Sequence, residues 1–372
     1  MASFSFDALV IGAGIVGAAC ARELAKAGLR VAVCERTDVI GGGATAAGMG
    51  HLAVMDDSDA QFALTSYSQK LWREMSEELP ADAEYLGCGS LWVAADEEEF
   101  REVDRKFRFY SERGMPVEVL DARQLREAEP NLRPDLVGGL LMRADSVCYP
   151  PCAARYFLKS PRIEVFLRKP VSHVSESGIR THDGDEISAG TTILATGSAI
   201  GELIPEAEVR PRKGHLLITD RYAGFIRHQL IELGYLKSAH STTSDSVAFN
   251  AQPRMTGQIL LGSSRQYGAE DPQIDAEILG RMLRRAIEYM PALKRMSAIR
   301  TWTGFRAATP DKLPLIGPCP GFQNVYLATG HEGLGISTSL ATGRLVADLI
   351  FGRTSAIASE PYSPARHFVA HG

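Results

Sequence analysis

The chain has 372 residues, of which 45% are hydrophobic and 23% are charged, and at about 150 residues per domain this length predicts roughly two globular domains. Its 40 Lys and Arg residues and 45 Asp and Glu residues give a net charge of −5, which argues against a nucleic-acid-binding protein with a strongly basic face. The six cysteines are scattered without C-x-x-C spacing, so the sequence indicates neither a disulfide scaffold nor a metal or iron–sulfur site. Because it shows no signal peptide and no apolar run of about 18 residues, we expect a cytoplasmic protein without a membrane span.

Residues 1–35 predict a strand, a glycine-rich turn, a helix and a second strand, which is the order of a βαβ unit. The turn carries the G-x-G-x-x-G spacing at Gly12, Gly14 and Gly17. In such a turn the first glycine allows the sharp bend, the second lets the backbone approach a pyrophosphate, and the third lets the helix pack close to the strand. Glu35 ends the second strand, where its carboxylate can accept hydrogen bonds from ribose hydroxyls and would repel a 2′-phosphate. This segment predicts a dinucleotide site.

A second glycine cluster, G-G-G-A-T-A-A-G-M-G-H, follows at 41–51. A site for NAD alone has no evident use for it, whereas small residues would let the ring system of a flavin lie against the backbone. A flexible loop is the alternative explanation. The cluster therefore favours a flavin dinucleotide over a nicotinamide one.

The remaining predicted elements alternate between helices and short strands, which indicates an α/β protein. In chain order we expect a helix at 62–79, a strand at 90–94, helices at 96–113, 121–128 and 153–158, strands at 163–166, 171–174, 178–181, 186–188, 191–195, 216–219, 247–249 and 258–262, a helix at 275–290, a strand at 325–328 and a last helix at 336–351.

Glycine turns of the cofactor-binding kind lie near residues 12, 197 and 330. They can meet only if one nucleotide-binding domain is assembled from separated parts of the chain. We therefore predict a discontinuous cofactor-binding domain formed by 1–80, 145–210 and 308–372, and a second domain over the cofactor formed by 81–144 and 211–307.

Six motifs in the order of one known family span nearly the whole chain: V-I-G-A-G-I-V-G-A-A at 10–19 with Glu35, A-A-G-M-G-H at 46–51, I-L-A-T-G at 193–197, W-T-G-F-R at 302–306, P-D-K-L-P-L-I-G at 310–317 and A-T-G-H-E-G-L-G-I at 328–336. The sequence thus resembles the FAD-dependent D-amino acid oxidase superfamily, which includes glycine oxidase and sarcosine oxidase. The resemblance implies a Rossmann-like FAD-binding domain of the glutathione reductase type and a mixed α+β substrate domain.

The resemblance also implies where a non-covalent FAD would bind. Adenosine would lie near Glu35 and Arg36, with the backbone of Val171 against the adenine, and the isoalloxazine would lie between the 42–51 and 330–337 segments. The implied FAD-binding residues are Gly12, Gly14, Ile15, Val16, Gly17, Glu35, Arg36, Gly42, Gly43, Ala44, Thr45, Ala47, Gly48, Met49, Val171, Ala195, Thr196, Gly197, Gly330, Gly333, Leu334, Gly335, Ile336 and Ser337.

Within the superfamily the sequence looks most like subunits of multi-component dehydrogenases. These are the β subunit of D-hydroxyproline dehydrogenase, the FAD subunit of octopine and nopaline oxidases, and the FAD subunit of hydrogen cyanide synthase. The likeness implies oxidation of a C–N bond to the imine by hydride transfer to flavin N5. It also implies a hetero-oligomer in which electrons pass to a second flavoprotein subunit and a small [2Fe–2S] subunit.

Three residues are the candidates for substrate recognition and catalysis. Arg306 would anchor the substrate carboxylate by resemblance, because a guanidinium fork matches a carboxylate, with a structural salt bridge as the alternative. His51 and Glu332 adjoin the flavin-contacting glycines, where either would bind substrate or tune the flavin. The alternative is a hydrogen-bonded turn histidine for His51 and a surface or subunit-contact role for Glu332. The sequence departs from glycine oxidase-like sequences at two positions that bear on substrate recognition. Gly333 stands where those sequences carry an arginine, and Ala307 replaces their proline after Arg306.

These departures would leave room for a ring or an N-substituent, so D-hydroxyproline is the first substrate that we expect and opines are the second. A self-contained glycine or D-amino acid oxidase using oxygen is an alternative, as is an inactive flavoprotein scaffold.

Two further sets of residues lie in the predicted second domain, and each has alternative roles. Arg212, Lys213 and His215 form a short basic set, for which we expect a solvated or interdomain position. Four aromatic residues are candidates for the roof of the substrate pocket, although ordinary core packing is the more common role for such side chains: Tyr235, Phe249, Tyr267 and Trp302.

Overall fold

A computed structural model describes residues 3–234 and 245–368 of the chain. Its strands are β1 (Ser3–Ile11), β2 (Val31–Cys34), β3 (His51–Leu52), β4 (Ser90–Ala94), β5 (Val117–Asp121), β6 (Gly138–Met142), β7 (Ser146–Val147), β8 (Ile163–Phe166), β9 (Val171–Ser175), β10 (Gly178–Thr181), β11 (Glu186–Leu194), β12 (Arg210–Arg221), β13 (Gln229–Glu232), β14 (Ser246–Pro253), β15 (Gln258–Arg265), β16 (Ala298–Ala308), β17 (Leu315–Pro318) and β18 (Val325–Thr329). Its α-helices are α1 (Ile15–Lys26), α2 (Ala44–Ala47), α3 (Asp59–Met75), α4 (Glu97–Glu112), α5 (Ala122–Ala128), α6 (Pro150–Phe157), α7 (Ala276–Tyr289) and α8 (Gly335–Ile350).

One sheet has eight strands, six of them in the order β17-β18-β11-β1-β2-β8, with β10 and β9 attached beside β11. The central pairs β1–β11, β1–β2, β2–β8 and β11–β18 are parallel. Parallel strands need helical crossovers that cover the sheet, which is why β2 is buried along its whole length and reads as a continuous apolar run. Helices α1, α3, α6 and α8 bury their apolar faces in one core cluster with this sheet.

Helices α1 and α8 approach closely at a glycine. A Cβ added at Gly343 of α8 would lie 2.7 Å from the carbonyl oxygen of Ala19 in α1. Helix α1 directly follows β1, and α8 directly follows β18. Both helices thus begin at the edge of the parallel sheet where the carboxyl ends of these strands lie.

The second sheet also has eight strands, in the order β16-β12-β15-β14-β13-β4-β6-β5. One face packs on α7, where the rings of Phe249 and Tyr289 stack with centroids 4.7 Å apart. Residues on the opposite face, such as Leu216, Ile231 and Asn250, face a cavity between the two sheets. This alternation follows from the period of two along a strand.

The predicted α/β fold class is confirmed, but several predicted elements differ in detail. The predictions omitted α2 and the strands β3, β5, β6, β7, β13, β16 and β17, divided β11 into two strands, and recognised only the central part of β12. The first sheet draws its strands from 3–34, 163–194 and 315–329, and the second draws them from 90–142 and 210–308. The exact division into two discontinuous domains stays a prediction. Among the described helices, none combines the length and the apolar character needed to cross a membrane.

Candidate active site

A cavity of about 680 Å³ lies between the two sheets, within the size range of small-molecule and cofactor sites. One side of it is formed by the glycine-rich turn after β1, the 42–51 segment, the end of β11 and the 331–336 turn before α8. The other side is the inner face of the second sheet. The glycine segments that are far apart in sequence therefore border one space.

The turn between β1 and α1 has the tight geometry that its glycines predict. Gly12 has a φ of +104°, and a Cβ at this position would lie 2.5 Å from the carbonyl oxygen of Ala195. A Cβ at Gly17 would collide with the carbonyl oxygen of Gly12, so α1 packs directly on the turn. Glu35 closes the turn because its Oε2 accepts a hydrogen bond from the amide of Ala13 at 2.9 Å. Its carboxylate is thus held at the cavity wall.

Thr45 connects the two N-terminal glycine segments. Its Oγ1 accepts a hydrogen bond from the amide of Ile15 at 3.0 Å, at the first turn of α1. A Cβ at Gly14 would lie 3.3 Å from the same oxygen, so the glycine allows this approach. The 42–51 segment is therefore fixed over the helix N-terminus, where backbone amides and the helix dipole favour an anionic group.

His51 and Ser337 are joined through the His51 backbone. Ser337 Oγ donates a hydrogen bond to the His51 carbonyl oxygen at 2.8 Å and accepts one from the amide of Ala53 at 3.3 Å. Burial lowers the pKa of His51 to about 3, so its ring is neutral at physiological pH. His331, in the turn before α8, is held in the same state: burial lowers its pKa to about 3, and its Nε2 lies 3.0 Å from Thr342 Oγ1.

Arg306 projects from β16 into a slot between two glycines. A Cβ at Gly214 would lie 2.5 Å from Arg306 Nη1, and a Cβ at Gly333 would lie 3.1 Å from its Cδ. Nη1 donates a hydrogen bond to the Ser264 carbonyl oxygen at 3.0 Å, which orients the guanidinium plane. The space that a side chain at position 333 would need is therefore occupied by Arg306 itself, not left open for a substrate ring.

Arg212 lies directly opposite Arg306 in the pairing of β12 with β16. It forms an ion pair with Glu332, and its Nη1 donates a hydrogen bond to Tyr267 Oη at 3.0 Å. Glu332 has the left-handed φ of +59°, uncommon for a non-glycine residue, and its amide donates to the Ala307 carbonyl oxygen at 2.8 Å. The ion pair therefore joins the second sheet to the turn before α8.

The expected solvated position of the basic set is wrong. Arg212, Lys213 and His215 are 5%, 2% and 0% exposed, because β12 is an interior strand of its sheet. Lys213 forms an ion pair with Asp271 at 3.1 Å. His215 Nε2 accepts a hydrogen bond from the amide of Asp275 at 3.0 Å, so its ring is neutral and its Nδ1 is the donor. The interdomain alternative describes Arg212, which reaches across to the last segment of the chain.

Most residues predicted for the site border the cavity. Those that do are Gly12, Gly14, Ile15, Val16, Glu35, Arg36, Gly42, Gly43, Ala44, Thr45, Ala47, Gly48, Met49, His51, Val171, Ala195, Thr196, Gly197, Arg306, Glu332, Gly333, Leu334, Gly335 and Ile336. Gly17, Gly330 and Ser337 lie behind the wall. Gly17 lets α1 pack on the turn, Gly330 has a φ of +75° beside Thr309, and Ser337 holds the His51 backbone.

The inner face of the second sheet adds residues that were not predicted as site residues. Trp92, Arg212, Gln229, Asn250 and Arg265 all border the cavity. Strand pairing places these residues in the wall. The sequence feature that could have indicated it is the presence of polar residues inside otherwise apolar strands.

The aromatic candidates for the roof have other positions. Phe249 packs on α7, Tyr267 contacts Arg212, and Trp302 packs with Met49 and Leu216 outside the cavity wall. Tyr235 lies outside the described residues.

The residues of this cavity fit the FAD that the sequence predicts. Glycines stand where the backbone would approach a pyrophosphate, and the Glu35 carboxylate is fixed at the end of β2. Two buried polar atoms of the wall, His51 Nε2 and Thr196 Oγ1, have no hydrogen-bond partner among the described residues. Because leaving buried polar atoms unpaired is costly, such atoms in a cavity wall indicate a polar ligand.

Comparisons with known proteins agree with this fit. The family model described as FAD dependent oxidoreductase (DAO) matches residues 7–349. The chain is 29% identical to a glycine oxidase of Pseudomonas aeruginosa, over 96% of this chain and 98% of that protein. It is 28% identical to hydrogen cyanide synthase subunit HcnC of the same species, over 97% of this chain and 96% of that protein. The crystal structure of glycine oxidase from Geobacillus kaustophilus has a TM-score of 0.87 at 25% identity, covering 99% of this chain and all of that one.

Proposed function

Because this chain belongs to the family of FAD-dependent oxidoreductases, we propose that it is the dehydrogenase subunit of a complex and oxidises the C–N bond of a secondary amino acid. It is an FAD-dependent amino acid oxidoreductase acting on CH–NH donors. Bound FAD supplies the two-electron acceptor for this chemistry. The chain's own residues have to bind and orient the substrate and exclude water.

The observation that carries the proposal is the position of Arg306. Its guanidinium lies in the wall between the second sheet and the 331–336 turn, held by Gly214, Gly333 and the Ser264 carbonyl. A rigid fork at this place can hold an α-carboxylate by two parallel hydrogen bonds. Fixing the carboxylate fixes the α-carbon, so that catalysis rests mainly on orientation of its C–H bond.

The wall provides acceptors for the substrate amine. His51 is neutral at physiological pH because burial lowers its pKa to about 3, so it does not repel an ammonium group. Glu332 borders the cavity beside Arg306, where its carboxylate can hold the amine N–H. These groups orient the amine, which loses its N–H proton when the imine forms.

For the substrate, cis-4-hydroxy-D-proline is the first candidate, as the motifs at 41–51 and 328–337 indicate. N-Carboxyalkyl amino acids of the opine type are the second candidate, and the buried Arg212 opposite Arg306 is the specific observation that favours them. The similarity to glycine oxidases supports a third, a self-contained oxidase of glycine or a D-amino acid.

Partner subunits are the second part of the proposal. One of the relatives, HcnC, is by its name a subunit of hydrogen cyanide synthase. This sequence carries no iron–sulfur motif, so electrons that leave FAD for an acceptor other than oxygen require a carrier on another chain. A second flavoprotein and a small [2Fe–2S] protein would supply it.

Anaerobic bleaching of the yellow holoenzyme tests the reaction. We expect cis-4-hydroxy-D-proline or an opine to remove the flavin absorbance at 450 nm within seconds, and oxygen to restore it slowly. Rapid oxygen consumption with glycine, by a particle containing this chain alone, would favour the self-contained oxidase. If none of these amino acids bleaches the flavin, the chain is an inactive scaffold.

A further inference from the structure

A carboxyl group is buried directly behind the cavity wall. Asp145 lies between β6 and β7 and is 1% exposed. Its Oδ1 accepts hydrogen bonds from Gln69 Nε2 at 2.7 Å and from the amide of Val54 at 3.4 Å. Ala53 and Met55, on either side of Val54, border the cavity. The carboxyl group therefore lies one backbone segment away from the cavity lining.

The surroundings of this carboxyl group supply no countercharge within the described part of the chain. The neighbours that favour its ionised form do so through hydrogen bonds. Burial lowers the pKa of His51 to about 3, raises the pKa of Cys88 to about 11 and raises the pKa of Tyr110 well above its usual range, so all three side chains are neutral at physiological pH. Asp56 and Lys106 form an ion pair with each other.

The charge state of Asp145 therefore responds to charge in the cavity. Burial raises its pKa to about 7, so both forms of the carboxyl group are populated near neutral pH. A negative charge added in the cavity raises this pKa further, because like charges disfavour ionisation. Transfer of a hydride to bound FAD adds such a charge, so reduction of the flavin favours uptake of a proton by Asp145.

Polar side chains connect this carboxyl group with the cavity. Ser90 on β4 is close enough to favour the ionised form of Asp145, although the two side chains make no direct hydrogen bond. Gln229, the residue paired with Ser90 on β13, borders the cavity. Both amide atoms of Gln229 are buried without a hydrogen-bond partner among the described residues. Buried polar atoms of this kind bind internal water in proteins, and a proton can pass between groups through such a water.

We propose that Asp145 takes up the proton that the substrate amine loses as FAD is reduced, a role that rests on the proposed function. The α-carbon gives its hydrogen with the electron pair to bound FAD, and the nitrogen gives its hydrogen as a proton to the Asp145 carboxylate. A C=N bond forms, and one negative charge passes from the carboxylate to the flavin, so that atoms and charge balance. Asp145 returns the proton to water when the electrons leave FAD. Because it does not border the cavity, it acts through the wall and not by touching the substrate.

The test is the midpoint potential of the flavin in the holoenzyme, measured by electrochemical titration from about pH 5 to about pH 9 without any substrate. Wild type and Asp145→Asn should differ least at the acid end, where the wild-type carboxyl group is already protonated. Above about pH 7 the wild-type potential should fall more steeply than that of the variant. The additional slope should be about 30 mV per pH unit, since one further proton accompanies two electrons.

Two further variants separate this role from a structural one. Gln69→Met removes a hydrogen bond that favours the ionised form of Asp145, so the steeper region should begin at a higher pH than in the wild type. Asp104→Asn is the matched control, because it removes an exposed carboxylate of α4, and its potentials should follow those of the wild type.

Infrared difference spectra of the oxidised and reduced holoenzyme observe the proton directly. On reduction at pH 8 the wild type should gain the carbonyl stretch of a protonated carboxyl group, and Asp145→Asn should lack this band. The wild-type spectrum needs no variant, so it decides together with Gln69→Met if Asp145→Asn fails to retain FAD.

Two results would overturn the inference: parallel pH dependences of the potential in wild type and Asp145→Asn, or a wild-type difference spectrum at pH 8 without the new carboxyl band. Because reduction at an electrode needs no amine, these outcomes are separable from the proposed function. If no amino acid bleaches the flavin but the potentials diverge, the function fails and the coupling of Asp145 to the flavin stands. If amino acids bleach it and the potentials stay parallel, the coupling fails and the function stands.

Discussion

Replacing Arg306 by lysine tests the anchor on which the proposed function depends. Arg306 is positioned by Gly214 and Gly333 on either side of its side chain and by the hydrogen bond from Nη1 to Ser264. Lysine retains the charge but presents a single ammonium group that cannot reproduce the planar fork. Losing the bidentate geometry to a buried carboxylate should cost about 3 kcal/mol, since one charged hydrogen bond contributes roughly 1.5–3 kcal/mol.

The assay is anaerobic stopped-flow reduction of the flavin by the amino acid that bleaches the wild type fastest. A loss of about 3 kcal/mol corresponds to roughly a hundredfold decrease in kcat/KM. The visible spectrum and FAD content should not change, because Arg306 belongs to β16 of the second sheet and its guanidinium donates a hydrogen bond to Ser264 of the same sheet. Arg300→Lys is the matched control, because Arg300 lies on the same strand and is exposed.

Equal reduction rates and equal apparent affinities for wild type and Arg306→Lys would refute Arg306 as the carboxylate anchor. A lysine variant that has lost FAD would instead show that the residue supports the fold of the cavity.

Three further predictions concern cofactor retention and pH. Glu35→Ala should weaken FAD retention, measured by flavin release on dilution, since Glu35 fixes the turn at Ala13; unchanged release would remove Glu35 from the site. Acid precipitation should leave the yellow colour in the supernatant, and colour in the pellet would indicate a covalent flavin. Asp145→Asn should stabilise the protein increasingly as pH rises from about 4 to 7, because burial raises the pKa of Asp145 to about 7. Between these pKa values the folded wild type holds a proton that the unfolded chain has lost, so urea unfolding should show a larger advantage of the variant at pH 8 than at pH 5.

The cofactor side of the cavity could be predicted from sequence because its determinants are local. Gly12, Gly14 and Gly17 lie within six consecutive residues, and their conformations follow from the turn itself. The tie from Ile15 to Thr45 was not predicted, although both residues were assigned to the site. That hydrogen bond depends on how the 42–51 segment folds back, which no local pattern specifies.

The substrate side was predicted less well because its determinants are strand pairings. Strand β16 carries Arg306, but the alternation in 298–308 is interrupted by glycine and small polar residues, so no strand was predicted there. Without β16 there was no register to place Arg212 beside Arg306, and the basic residues looked like a surface group. Gln229 became part of the wall only through the parallel pairing of β13 with β4.

This difference explains why the family resemblance predicts the cofactor more securely than the substrate. The expected contacts with FAD are largely made by backbone at glycine turns, where an added side chain would collide with neighbouring backbone, as a Cβ at Gly12 would with Ala195. The wall opposite is a sheet face on which a single substitution changes the charge without disturbing the pairing of the strands. Gly333 and Arg212 illustrate this: the site lacks an arginine in the turn before α8 and has one on β12, and Arg306 occupies the space beside Gly333. A substitution on that wall would leave the cofactor's oxidation chemistry in place and alter which substrate groups are recognised.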